Sequence, residues 1–252
     1  MRSLAIVTVA FGVLVACDEP ETMLAPTLDL AMIEAPTAEA AAAERTYHVT
    51  VKNLTSGGQW FTPPLVAVHR GSEDLFTVGK PASYGIQQIA ENGNLAPMLE
   101  RLELSRHATS FAVVEGVSGP VAPGEAVTVS LTADPGSNFV SFASMLICTN
   151  DGFTGVDGAA LPKKVGEEIS IYLGAFDAGT EINTEDFADI VPPCQVLGGV
   201  SSEDSGSGAS DPALAEGGVI RPHPGIMDRS DLVSGIHGWA DPVAMFTVRR
   251  TG

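Results

Sequence analysis

The stretch Thr46-Tyr47-His48-Val49-Thr50-Val51-Lys52 decides the fold class. Tyr47, Val49 and Val51 fall on one side and His48, Thr50 and Lys52 on the other, the period of two that sets one strand face against a core and the other in water. Working outward, Leu65 to Val68, Phe111 to Val114, Val127 to Leu131, Phe139 to Ile147, Phe153 to Leu161, Ile169 to Leu173 and Val243 to Val248 are further short apolar runs. Gly and Pro punctuate them, so about eight short strands are expected, as in an all-β sandwich. Between Ala82 and Leu104 the spacing changes: Ile86, Ile89 and Ala90, then Leu95, Met98, Leu99 and Leu102, recur at helical intervals. Two short helices broken near Gly93 are expected to cap the sandwich, with Pro97 in the first turn of the second, where a missing N–H costs no intrahelical bond. The Ser, Gly and Asp run from Val200 to Ala215 reads as a flexible surface loop.

The chain has 252 residues, 44% hydrophobic and 17% charged, a composition that excludes a disordered tail or a coiled coil. Thirteen Lys and Arg stand against 31 Asp and Glu, giving a net charge of -18. That sign is wrong for a protein that tracks phosphates, so nucleic acid is excluded as an expected partner and cations or basic surfaces are favoured. The sequence contains no Gly-x-Ser-x-Gly elbow, P-loop or dinucleotide fingerprint, and no enzyme activity is expected.

The N-terminus carries its own reading. Met1 and Arg2 precede a nearly continuous apolar run from Leu4 to Val13, too short to span a bilayer but suited to a secretory signal. Leu14-Val15-Ala16-Cys17 resembles a bacterial lipobox, which implies cleavage after Ala16 and a lipid on Cys17. The chain then divides into a signal peptide (1–16), an acidic Ala- and Pro-rich tether (17–45) and a folded domain (46–252). The expected location is the bacterial cell envelope, on its periplasmic or surface face, with the membrane as a partner through Cys17. With Cys17 lipidated, Cys148 and Cys194 remain, and two thiols outside the cytoplasm are more often paired than free. A disulfide is expected, the alternative being two separate buried cysteines.

Strand direction brings candidate ligands together. If Phe139 to Ile147 runs upward, the turn after it holds Asp151 at the top, and Ile169 to Leu173 climbs back toward Asp177 at the same end. Asp134 falls at the opposite end. Glu181 adds a carboxylate four residues beyond Asp177, and hard oxygen ligands clustered in loops suit Ca²⁺. Turn aspartates also cap their own backbone, so the spacing alone leaves both readings open. His69, His223 and His237 form a second candidate set, for a transition metal, although no HxH or HxxxH spacing supports it.

Several segments together resemble a bacterial spondin domain: Phe61-Thr62-Pro63-Pro64, Asn150-Asp151-Gly152-Phe153-Thr154-Gly155-Val156-Asp157, Phe176-Asp177-Ala178-Gly179-Thr180-Glu181, His223-Pro224-Gly225-Ile226 and Asp241-Pro242-Val243-Ala244. The resemblance runs in order over roughly residues 46–250. It implies a C2-like antiparallel β-sandwich with a calcium site, a module that serves adhesion in animal matrix proteins of the F-spondin and mindin type. Asp151 and Asp177 fall on the aspartates of the matching motifs, Asp157 on that of the Gly-Val-Asp segment, and Glu181 on a position that is often Asp in the animal proteins. The implied function is a lipid-anchored, non-catalytic calcium-binding recognition module with a protein or glycan partner. Its competitors are an envelope metalloenzyme built on the histidines and a calcium site that is structural only.

Overall fold

The computed structural model describes residues 44–252 except 201, 202 and 205. The expected signal peptide, Cys17 and the tether through residue 43 lie outside the described residues. In chain order the elements are β1 (Arg45–Asn53), β2 (Leu65–His69), α1 (Tyr84–Asn92), α2 (Ala96–Leu104), β3 (Ala108–Val113), β4 (Ala126–Ala133), β5 (Phe139–Met145) and β6 (Gly152–Ala160). There follow β7 (Glu168–Leu173), β8 (Ala175–Asp177), α3 (Pro193–Gly198), β9 (Arg221–Pro222), α4 (Ser234–His237) and β10 (Ala244–Arg250). The strands make two antiparallel sheets, ordered β4-β1-β10-β7 and β3-β2-β5-β6-β8-β9, which pack as a sandwich. Each apolar run read from the sequence is a strand. The additions are β8 and β9, too short to show a period.

The alternation of β1 buries Tyr47, Val49 and Val51 while His48 faces solvent. Those side chains meet Val66, Val68 and Phe142 of the opposite sheet together with Phe246 and Val248 of β10. Phe142 and Phe246 stack across the two layers with ring centroids 4.9 Å apart. β10 lies between β1 and β7, with Val49 opposite Val248 on one side and Ile171 opposite Phe246 on the other. β10 is therefore an inner strand of its sheet.

Strand β2 is buried along its whole length because the six-stranded sheet is covered on its outer face too. There Leu65, Ala67, Ala143 and Phe153 lie beneath Ile86, Ile89, Met98 and Leu102. The two expected capping helices thus lie over the outer face of this sheet, since outward-pointing apolar side chains of β2, β5 and β6 need a cover. Local signals set the helix bounds. The Ser83 hydroxyl accepts the Ile86 N–H at 3.3 Å, and Gly93, at φ 63°, closes α1 by donating to the carbonyls of Gln88 and Ile89. A proline begins α2.

A third apolar cluster fastens the segment after β8: Ile147, Phe187, Ile190, Ile226 and Leu232 surround Cys148 and Cys194, whose sulfurs are joined at 2.18 Å. Residues 206–215 are not the free loop that the composition of this run suggests. Ser210 accepts from Gln88 at 3.0 Å and Asn92 at 2.9 Å and donates to Glu91, and Ala215 bridges Glu181. Polar anchors hold this run where apolar periodicity is lacking. No helix among the described residues is long and apolar enough to cross a membrane.

Because Phe246 is fully buried at the contact between layers, Phe246→Ala should cost about 3–5 kcal/mol. Urea unfolding should show a lower midpoint at an unchanged slope; a midpoint within error of the parent would show that the two layers do not depend on this contact.

Candidate functional site

Asp151 sits in the tight turn between β5 and β6, and the pairing of Gly152 with Asp177 brings the end of β8 beside it. The Ala178 N–H donates to the Asp151 carbonyl at 3.1 Å, locking the two turns together. Both Asp151 and Asp177 are fully buried, and Glu181 is 4% exposed. Asp151 Oδ2 accepts from the Thr180 N–H at 2.8 Å, the Thr180 hydroxyl at 3.3 Å and the Glu181 N–H at 3.1 Å. Its Oδ1 is buried and has no partner among the described residues. Asp177 Oδ1 accepts from the Gly179 N–H at 2.8 Å, and Oδ2 from Asn183 at 2.8 Å and from the guanidinium of Arg221 at 3.1 Å. Glu181 Oε1 accepts only a long bond, 3.3 Å, from the Asp211 N–H.

Burial makes these charges costly. Desolvation and then the Asp177 charge push the Asp151 carboxyl up to about 6, against the N–H donors at its Oδ2. Burial and then the Glu91 charge push Glu181 up to about 8, with Asp151 and Asp189 adding repulsion. A cation placed among these carboxylates would relieve both desolvation and repulsion. On the far side of Glu181 lies a cavity of about 70 Å³ lined by Glu91, Glu181, Asp189 and Asp211. Glu91 is held there by Gln87 at 2.9 Å and by Ser210, and Asp189 accepts from Thr184 at 2.7 Å.

The scaffold behind the site is Asn150 and Glu185. Asn150 donates to Thr184 at 3.0 Å and accepts the Glu185 N–H at 3.2 Å. Glu185, buried at φ 61°, receives the N–H groups of Met227 and Arg229, both at 2.8 Å. None of these roles, nor those of Glu91, Asp189 and Arg221, was read from the sequence. The only hint for Glu91 is its place one turn after Gln87 on a helix with an apolar face.

The structure brings Asp151, Asp177 and Glu181 to one end and leaves Asp157 elsewhere. Asp157 stands five residues beyond Gly152 on β6, about 17 Å along an extended strand. Its Oδ1 accepts from the Leu75 N–H at 2.8 Å and the Ser141 hydroxyl at 3.1 Å, tying the chain before α1 to the sheet. Asp134 lies at the opposite end, paired with Arg70 at 2.5 Å. The three histidines do not gather. His69 pairs with Phe139 at Asp134's end, donates from Nδ1 to the Arg70 carbonyl at 2.9 Å and lies 2.7 Å from the Ser141 hydroxyl. The His223 ring packs 5.1 Å from Trp239, and burial pushes it down to about 4. His237 is close enough to Cys148 and Cys194 to share an ion, but the two sulfurs are bonded to each other.

The Spondin_N family model matches residues 45–187, more than half the chain, and the chain belongs to that family. Membership makes it an extracellular recognition or adhesion-type module. The match takes in β1 to β8 with Asp151, Asp177 and Glu181, whereas β10 and the segments at His223 and Asp241 lie beyond it. No curated protein matches the chain.

The raised Glu181 keeps its proton in the folded chain after the unfolded chain has lost it, so without metal its contribution to stability should fall as pH rises from about 4.5 to about 8, and Asp151, raised to about 6, adds to that fall below about pH 6. Buried His223 and His237, both lowered, act oppositely: below about 6.5 the unfolded chain takes up protons first. Below about pH 6.5 the two carboxyls and the two histidines therefore oppose each other, whereas above it Glu181 acts alone among them, so melting of the EDTA-treated protein should decline from about pH 6.5 to about 8 and Glu181→Gln should flatten this alkaline limb. An alkaline limb unchanged in that variant would show that another group sets it.

Proposed function

We propose that this protein is a non-catalytic calcium-dependent recognition or adhesion module held at the bacterial cell envelope by a lipid on Cys17. The observation that carries the reading is Asp151 Oδ1, a buried carboxylate oxygen without a donor, set beside Asp177 and Glu181. Buried polar atoms are almost always satisfied, so an orphan among neighbouring carboxylates marks the place of a ligand. Oxygen donors alone, from flexible turns, suit Ca²⁺ better than a softer metal. Asp151, Asp177 and Glu181 would hold the ion, supplying enough negative charge to bind it and to draw the turns at 149–152 and 177–183 into one shape. Arg221 now neutralises part of Asp177, so the ion and this guanidinium compete for the same carboxylate. The partner is a protein or a glycan that reads the ordered turns; the net charge of -18 speaks against nucleic acid.

Calorimetric titration should show one saturable Ca²⁺ site and a rise in melting temperature. Asp151→Asn or Asp177→Asn should weaken binding at least about tenfold, since each removes a full ligand charge. No heat of binding and no melting shift in the parent would sink the calcium reading, and a melting shift without any calcium-dependent partner capture would leave the ion structural only.

The anchor is tested separately. Cys17→Ala should move the protein from the membrane to the soluble envelope fraction, and mass spectrometry of the parent should find a diacylglyceryl group on Cys17. An unmodified Cys17 would remove the membrane from the account.

A further inference from the structure

β8 pairs with β6 only from Gly152 to Thr154, so the edge of β6 from Gly155 onward has no strand beside it. A cavity of about 350 Å³ opens there, at the margin between the two layers. That volume is at the small end of the range for ligand sites. Phe76, Val78, Val156, Leu173 and Phe176 form its apolar wall, and Asp157 is its one ionisable group. Phe76 and Phe176 stand 5.7 Å apart, so two aromatic rings border the space. Gly155 keeps the wall in place: a Cβ there would come within 2.4 Å of the Phe142 carbonyl and 3.1 Å of the Phe76 ring.

The carboxylate is presented in a particular way. Asp157 Oδ1 is held from behind by the Leu75 N–H and the Ser141 hydroxyl, which fixes the direction of the carboxylate. The Asp74 carboxyl lies beside it, and burial with this repulsion holds the Asp157 carboxyl above its ordinary range. No Lys or Arg lines the cavity. Two neighbouring carboxyls want a positive charge between them and the solvent, and aromatic rings attract the same charge through their faces. A neutral apolar ligand would leave this pair of carboxyls without a counter-charge.

We propose that this cavity binds a small organic ammonium ion, its charged group on Asp157 and its apolar body between Phe76 and Phe176. The site stands apart from the calcium reading: Phe176 and Asp177 point to opposite sides of β8, and Asp157 is far along β6 from Asp151.

The test is an NMR titration of the isotopically labelled protein with benzylammonium and, separately, with benzyl alcohol, its near-isosteric neutral counterpart. Both are run in EDTA and again in excess Ca²⁺. Saturable shifts at Phe76, Val156 and Phe176 are expected with the amine, with the alcohol binding at least about tenfold more weakly. Asp157→Asn should weaken the amine by about tenfold and leave the alcohol unchanged. Because Asp157 also anchors Leu75, a second variant is needed: Val78→Trp, at a half-exposed position, should fill the cavity and abolish amine binding at an unchanged melting temperature. Equal affinities for amine and alcohol, no saturation in the parent, or amine binding that survives Val78→Trp would each overturn the proposal. The same result with and without Ca²⁺ is expected; amine binding seen in only one of the two conditions would overturn the independence of this site.

Discussion

The sandwich depends on the insertion of β10 between β1 and β7. Without it β1 and β7 have no common partner, the four-stranded sheet falls into two pieces, and Phe246 leaves its stack on Phe142. The chain between β8 and β10 leaves the six-stranded sheet after β9 and crosses to the four-stranded one. That path is where the protein spends its polar anchors: the Cys148–Cys194 link, the Glu185 carboxylate on the N–H groups of Met227 and Arg229, and His237 accepting the Val233 N–H. A cross-link between residues 46 apart restricts the unfolded chain by about 3–4 kcal/mol in the chain-entropy picture.

The candidate cation site follows from this closure. The turn after β5 and the end of β8 meet because β6 pairs with both strands, and the wrapped segment then roofs them with Asp189, Asp211 and Arg221. Roofing removes water from carboxylates that were tolerable on an open turn, which raises Asp151 and Glu181 and leaves Asp151 Oδ1 without a donor. The electrostatic tension at this end is thus a consequence of the topology, and a bound cation is the economical way to relieve it. Arg221 is a partial internal substitute that reaches Asp177 and Glu216 and leaves Asp151 Oδ1 unpaired.

Much of this was legible in the sequence because strand burial has a period. Tyr47, Val49 and Val51 announced β1, the helical spacing of Ile86, Ile89, Met98 and Leu102 announced α1 and α2, and strand direction alone put Asp151 and Asp177 at one end with Asp134 at the other. The rest was illegible for physical reasons. β8 and β9 are shorter than a readable period. The surface that the capping helices cover was not legible, because periodicity reveals an apolar face but not what it covers, and the doubly buried β2 lacks alternation. Ser210 gave no sign that it would fasten its own stretch of chain to α1, since a hydroxyl in a polar run looks the same free or bonded. Asp157 shares a motif with Asp151, but the same count along the strand that unites Asp151 with Asp177 carries Asp157 away. The family match ends at residue 187, so the roof of Asp189, Asp211 and Arg221 had to be read from the structure itself.

The central claim is that the buried carboxylates around Asp151 form one cation site. The most direct measurement is anomalous diffraction from crystals of the protein soaked with terbium, a hard trivalent stand-in for Ca²⁺. The account predicts a single strong peak about 2.3–2.6 Å from Asp151 Oδ1, with Asp177 or Glu181 oxygens in the same shell. A peak confined to exposed surface carboxylates, with a water molecule completing the hydrogen bonds of Asp151 Oδ1, would contradict it.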